Sequence, residues 1–272
     1  MWEKHLELPS FHELLRKSHP ELLPWASLEG ASREEVEAAL GGPHGTTVLA
    51  LKHATGALLV GDRLATEGWH VADRRVQKVY KTDEHSAIAI SGAAGVCLEM
   101  VRLLQTELAH YEKLEGAELS TEGKANKLAQ MVRANLPAAL QGLAVIPILV
   151  GYDLKMDEGR IFKYDVTGGR YEEAEFHAAG SGGQDARNSL KKFYRAGMGE
   201  DEALALGLEA LQDAADENVG TSGIDLERSI FPTAVMTTRD GVFELSDERL
   251  REAYTQVAEP RRRARRGEEQ GG

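Results

Sequence analysis

From residue 46 onward the apolar positions fall into short runs, many of them β-branched, broken by glycine-containing segments. Residues 46–51 read as a strand, and 56–62 as its hairpin partner across a turn at His53, Ala54, Thr55 and Gly56. Residues 75–80 and 87–91 read as two more strands. The period then changes. Val96, Met100, Leu103, Leu104 and Leu108 recur at helical spacing within 95–111. Leu128, Met131, Val132 and Leu136 do the same within 124–140. Strand patterns return at 144–152, 159–165 and 171–178. Pro147 in the first of these suits a sheet edge or a bulge, because proline has no N–H to give a ladder. Gly180 to Gly183 turn the chain into a helix at 184–194. A further helix covers 200–217, with Leu204, Leu206, Leu208 and Leu211 among its apolar residues. Residues 218–225 form a loop, and 233–238 with 242–245 form a last hairpin around Arg239, Asp240 and Gly241. Two long helices after four strands suit a layered α+β architecture.

The first 45 residues differ in kind. They are charged, poor in strand signals, and contain two amphipathic helical patterns at 11–17 and 32–40. Ser32 is placed to cap the second, with Glu35 as its capping-box partner, and Gly41, Gly42 and Pro43 end it. We read 1–45 as a propeptide removed on maturation, 46–250 as the folded domain, and 251–272 as a flexible tail rich in arginine. After Glu259 the tail has the composition of a disordered segment.

Composition narrows the function. Of 272 residues, 42% are hydrophobic, enough for a sizeable core, and the net charge of −12 argues against a general nucleic-acid binder. Cys97 is the single cysteine, so no internal disulfide can form and a reducing compartment follows. Met1 to Glu7 lack the basic and apolar regions of a signal peptide. No apolar run approaches the ~20 residues of a membrane span. A cytoplasmic protein is expected. No Cys/His cluster points to a metal. Gly180 to Gly183 lack the Lys-Ser/Thr of a phosphate-binding loop.

The first strand begins abruptly after Gly45. Cleavage of the Gly45–Thr46 bond makes Thr46 an N-terminal threonine, which carries its own base. Its hydroxyl is the nucleophile, and its freed α-amine, with a reference pKa of about 7.7–8.0, accepts the hydroxyl proton. Three other positions belong with it. Asp62 ends the second strand. Lys78 lies on the face opposite Val79. Gly92 sits at a strand-to-helix junction, where free backbone N–H groups can bind an oxyanion. Taken singly, each also has an ordinary explanation: a strand threonine, a turn aspartate, a solvated lysine, a helix entry.

Taken together, the residues resemble the proteasome β subunits of the actinobacterial type. The resemblance rests on Gly45-Thr46-Thr47-Val48, Gly61-Asp62-Arg63-Leu64-Ala65-Thr66, Gln77-Lys78-Val79-Tyr80, Ile90-Ser91-Gly92-Ala93-Ala94-Gly95 and Gly180-Ser181-Gly182, in order. Asp62 follows Thr46 by 16 residues, and Lys78 follows Asp62 by 16. The resemblance covers 46 to about 250. It implies the N-terminal nucleophile hydrolase fold, a four-layer αββα sandwich of two antiparallel sheets flanked by helices. It implies Thr46 as nucleophile, Lys78 as the charge that depresses the pKa of the amine, Asp62 as its holder, and Gly92 N–H as oxyanion donor. The threonine methyl restricts χ1 and so fixes the aim of the hydroxyl.

Ser181 and Asp216 match two supporting positions of the family. A second serine does not align: Val219 occupies its position, and Ser222 lies beyond an apparent insertion at 218–223. The family's primary specificity pocket maps onto Ala65, Val76, Tyr80, Ile90, Ala94 and Leu98, which implies a preference for large hydrophobic residues before the cut bond. The implied activity is that of a self-processing threonine endopeptidase that degrades unfolded proteins and needs no cofactor. The implied partners are proteasome α subunits and other β subunits in stacked seven-membered rings, a regulatory ATPase ring acting through the α rings, and polypeptide substrates. Two other readings are a small-molecule amidase of the same fold and a non-catalytic ring subunit.

Overall fold

The computed structural model describes residues 17–18, 45–67 and 70–266. The helices expected at 11–17 and 32–40, and with them the propeptide, lie outside the described residues, apart from the helical pair Lys17 and Ser18 and the last propeptide residue, Gly45. The described chain begins with the expected hairpin, β1 (Thr47–His53) and β2 (Gly56–Gly61). A short hairpin follows, β3 (Ala65–Glu67) and β4 (His70–Asp73), then β5 (Val79–Asp83) and β6 (Ser86–Gly92). Helices α1 (Ala94–Glu115), α2 (Thr121–Ala134) and the single turn α3 (Leu136–Ala139) come next. The chain continues through β7 (Val145–Asp153), β8 (Glu158–Tyr164), β9 (Arg170–Glu173) and β10 (Phe176–Gly180). It ends with α4 (Gly183–Phe193), α5 (Glu200–Glu217), β11 (Thr233–Thr238), β12 (Gly241–Glu244) and α6 (Asp247–Arg266).

Two five-stranded antiparallel sheets carry the fold, in the orders β10-β1-β2-β11-β12 and β5-β6-β7-β8-β9. Side chains alternate across each strand, and the layers follow from that. Val48 and Ala50 of β1 and Ala57 and Leu59 of β2 meet Ala87 and Ala89 of β6, Ile148 and Val150 of β7 and Ile161 of β8 between the sheets. The intervening residues Leu49, Leu51, Leu58 and Val60 face the other way, toward Leu190 of α4, Leu204, Leu208 and Leu211 of α5, and Leu250 of α6. On the second sheet Ile88, Leu149 and Phe162 pack under Met100 and Leu104 of α1 and Leu128 and Met131 of α2. This is the expected αββα sandwich.

Several details differ from the sequence reading. Residues 75–78 are not in a strand; β5 begins at Val79. The run 171–178 is two strands, β9 at the edge of one sheet and β10 at the edge of the other, so the chain crosses between sheets at Ala174 and Glu175. The helix expected at 124–140 breaks at Asn135, whose side-chain nitrogen donates to Leu143 O, and Pro137 lies in the first turn of α3. Pro147 lies in the central strand of its sheet, but it pairs with Ile90 alone, because pairing with β8 starts only at Ile148. Its missing N–H therefore costs no ladder bond. Residues 251–266, placed at the start of a flexible tail, continue helix α6, whose first half is anchored by buried Leu250 and Ala253.

Leu59 is fully buried between the sheets, whereas Leu140 is 74% exposed. Leu59→Ala is expected to destabilise the fold by about 2–5 kcal/mol, and Leu140→Ser by under ~0.5 kcal/mol, as read by urea denaturation of the purified chain.

Candidate active site

The site lies where β1 and β2 end side by side. Val48 pairs with Gly61, and Asp62 N–H donates to Thr47 O at 3.0 Å, so Asp62 stands opposite Thr47 and arrives at the same end of the sandwich as Thr46, one residue further out. Thr46 is buried. Its backbone is held by Ser181, just after β10: Ser181 N–H donates to Thr46 O at 2.7 Å, Ser181 Oγ donates to the same oxygen at 3.2 Å, and Thr46 N–H donates to Ser181 Oγ at 3.3 Å. Thr46 Oγ1 donates to Gly45 O at 2.8 Å. The hydroxyl of the candidate nucleophile thus lies against the carbonyl of the bond expected to be cut.

Asp62 is fully buried, and its carboxylate is saturated. Oδ1 accepts from Thr47 N–H at 2.8 Å and from Lys78 Nζ at 2.6 Å. Oδ2 accepts from Leu64 N–H at 3.0 Å, Ser222 N–H at 3.2 Å and Ser222 Oγ at 3.4 Å. Lys78, also buried, donates in addition to Leu64 O at 2.6 Å and to Gly45 O at 3.3 Å. Burial pushes the Lys78 pKa below the ordinary lysine value, and the Asp62 carboxylate opposes that shift. The ammonium reaches Gly45 O, the oxygen that Thr46 Oγ1 also contacts. Sequence alternation alone could not show this, because Lys78 precedes β5 and its direction is set by the turn rather than by a pleat.

Beside these groups lies a pocket of about 280 Å³. All six residues expected to form it, Ala65, Val76, Tyr80, Ile90, Ala94 and Leu98, line it together with Thr46, Lys78 and Gly92. Its wall carries no acidic side chain and one basic one, Lys78. Cys97 also lines it, a residue the sequence left unassigned, and burial pushes its thiol up to about 12. Gly92 has φ +131°, and a Cβ there would lie 2.0 Å from Ala144 O. Only glycine fits this backbone, at the point where β6 gives way to α1.

The structure departs from the sequence assignment at Asp216. That residue is on the exposed face near the end of α5, and its carboxylate accepts from Gln212 Nε2 one turn back at 3.0 Å. α5 continues to Glu217, which leaves Asp216 exposed rather than buried beside Asp62 and Lys78. The following loop reaches the site in its place. Ser222 joins Asp62, and Thr221 Oγ1 shares a 2.6 Å hydrogen bond with Thr47 Oγ1. Asn218 Oδ1 accepts from Gly220 N–H and from Thr221 Oγ1. Ser222, left unaligned in the sequence reading, is the loop residue that bonds Asp62.

The chain matches the proteasome subunit family over residues 43–228. It is 50% identical to the proteasome subunit beta of Rhodococcus opacus over 264 residues, 93% of this chain and 90% of that protein. It is 49% identical to the proteasome subunit beta of Acidothermus cellulolyticus over 254 residues, 92% of this chain and 86% of that one. The proteasome subunit beta of Streptomyces griseus is 47% identical over 252 residues, 93% and 88% of the two chains.

Asp62→Asn removes the one carboxylate that, among the described residues, is bonded to the buried Lys78 ammonium. Leaving such a charge unpaired is expected to cost about 3–5 kcal/mol. The Lys78 pKa is expected to fall further below the ordinary lysine value, since burial still lowers it and the Asp62 carboxylate that opposed that shift is gone. Denaturant unfolding reads the first effect and NMR titration of the Lys78 side chain the second.

Proposed function

The chain belongs to the proteasome subunit family, and we propose that within it the chain is a catalytic β subunit that works as a self-processing threonine endopeptidase. The observation that carries this is the convergence on Gly45 O of Thr46 Oγ1 at 2.8 Å and Lys78 Nζ at 3.3 Å, with Lys78 held by Asp62.

In maturation, Thr46 Oγ attacks the Gly45 carbonyl carbon. A C–O bond forms, the Gly45–Thr46 C–N bond breaks, and the hydroxyl proton passes to the departing nitrogen, which becomes the free α-amine. Water then hydrolyses the Gly45 ester, restoring the hydroxyl and releasing residues 1–45 with a carboxylate. In turnover the same hydroxyl attacks a substrate carbonyl, and the α-amine takes its proton. Lys78 as ammonium keeps that amine neutral and favours the developing alkoxide. Gly92 N–H receives the oxyanion, a donor whose loss typically costs ~10²–10³ in rate. Ser181 positions Thr46 through both its N–H and its hydroxyl, and Ser222 helps hold Asp62.

The pocket lined by Ala65, Val76, Tyr80, Ile90, Ala94 and Leu98 selects a large hydrophobic residue before the cut bond, by complementarity. The chemistry calls for no cofactor. The partners are α subunits and further β subunits in stacked seven-membered rings, with a regulatory ATPase ring acting through the α rings on polypeptide substrates. The setting is the cytoplasm. Among the described residues no helix is long and apolar enough to cross a membrane.

The test uses particles co-assembled with an α-type subunit. Thr46→Ala should retain residues 1–45 by intact mass, and cleavage of that variant without added protease would count against self-processing. Lys78→Met keeps the volume and removes the charge. It should assemble, mature slowly, and lose nearly all hydrolysis of a hydrophobic fluorogenic peptide. Lys78→Arg should also fail, because the guanidinium fork does not reproduce a compact ammonium.

A further inference from the structure

Gly45 is buried, and each of its polar groups is engaged. Its N–H donates to Thr66 Oγ1 at 2.9 Å, and its carbonyl oxygen takes the two contacts from Thr46 and Lys78. Its Cα face is engaged as well. A Cβ added there would lie 2.3 Å from Gly220 Cα, 2.3 Å from Gly220 O and 2.6 Å from Gly220 C. In the other direction, a Cβ added to Gly220 would lie 2.8 Å from Gly45 Cα. Neither glycine is among those with a left-handed φ. Glycine is therefore required at both positions by the close approach of two backbones, not by the conformation of either.

Gly220 is held firmly. Its N–H donates to Asn218 Oδ1 at 3.0 Å, and Asn218 closes α5 through its N–H to Ala214 O. On the other side Thr221 bonds Thr47, and Ser222 bonds Asp62 and accepts from Arg63 N–H. The loop is tied to the residues that follow Thr46 and to the carboxylate that holds Lys78. This is the segment that the sequence marks as an apparent insertion.

We propose that Gly220 is a positioning residue for self-cleavage and not for later turnover: its backbone is the surface against which the scissile Gly45 is seated. The proposal rests on the self-processing reading above. Seated this way, Gly45 cannot move off Thr46 Oγ, and its carbonyl stays within reach of Lys78. Once the bond is cut, residues 1–45 leave and the contact no longer exists. With Gly45 gone, the nearest neighbours of a Cβ on Gly220 would be Ser181 Oγ at 3.0 Å and Asn218 Oδ1 at 3.2 Å, side-chain atoms that must give by a few tenths of an ångström where the Gly45 backbone would have had to give by more.

The experiment follows maturation and turnover separately in particles co-assembled from full-length chains. Gly220→Ala should slow the appearance of the Thr46 N-terminus by roughly 10- to 100-fold, the scale expected when a reacting group is displaced by a fraction of an ångström to one ångström. The fraction that does mature, counted by intact mass, should hydrolyse a fluorogenic peptide at close to the wild-type rate per processed site. Processing at the wild-type rate would overturn the proposal, and so would matured Gly220→Ala sites that are inactive. If Gly220→Ala yields no particles, Gly45→Ala probes the same contact from the other side. Its mature chain is identical to the wild type, so unaltered processing there overturns the proposal without any question of folding. Thr46→Ala separates the two readings. Cleavage of that variant sinks self-processing itself, whereas an intact Thr46→Ala precursor with fast Gly220→Ala processing sinks only the role of Gly220.

Discussion

Lys78 and Asp62 form an ion pair with 6% and 0% of their side chains exposed, and the arrangement of this end of the sandwich depends on it. Two charges taken out of water are costly unless their remaining hydrogen-bonding capacity is met. Here it is met largely by backbone. Thr47, Leu64 and Ser222 give N–H groups to Asp62, and Leu64 and Gly45 give carbonyls to Lys78. These residues come from the start of β1, the exit of β2, the loop after α5 and the scissile glycine. None can shift without leaving a buried charge short of a partner. The pair therefore does two things: it places a cation beside Thr46, and it fixes four chain segments against one another.

The layer between the sheets has a matching character. It is built of alanine, valine, isoleucine and Leu59, with Ala50, Ala57, Ala87, Ala89 and Ala179 the smallest, while the two outer layers add methionine and phenylalanine. Small residues between the sheets let the backbones come close. At Gly159 an added Cβ would lie 2.3 Å from the Gly56 carbonyl carbon. Close sheets bring the β1 end of one and the β5–β6 end of the other within side-chain reach, which is what Lys78 needs to span from β5 to Asp62. The larger residues outside anchor the helices, including α1, whose start borders the pocket.

Much of this was legible in the sequence because it is local. The leucine spacing within 200–217 gives α5 its full length, and the β-branched runs give β1, β2, β6 and β11. The six pocket residues could be named only through the family resemblance, and all six line one cavity. What could not be read is what depends on a third dimension. The run 171–178 has no breaker, so nothing in it announces that β9 and β10 belong to different sheets. Residues 75–78 look like a strand, yet Val76 N–H bonds to Arg63 O outside any ladder, and the turn this makes aims Lys78 inward. Asp216 lies within two residues of a helix end, where a small change in helix length decides whether a side chain faces the site or water. The contact of Gly45 with Gly220 joins two glycines far apart in the chain, and no pattern of period or composition predicts it.

The uncut chain also poses a chemical problem that its geometry answers. An α-amine can act as the base in turnover only after the Gly45–Thr46 bond is gone. Before that, Thr46 N is an amide nitrogen, and it donates its proton toward Ser181 Oγ. On the proposed self-processing reading, the first cleavage therefore proceeds without the base that every later one uses. General base catalysis of this kind typically contributes about 10²–10⁴ in rate. Intramolecular positioning can supply as much or more, since well-oriented reactants reach effective molarities of about 10⁵–10⁸ M. Thr46 Oγ1 sits 2.8 Å from the oxygen of the carbonyl it is proposed to attack, that oxygen also accepts from the Lys78 ammonium, and the Cα of the same glycine lies close against the Gly220 backbone. On this view the close fit around Gly45 substitutes for the missing amine once, and the amine it releases serves all later turnovers.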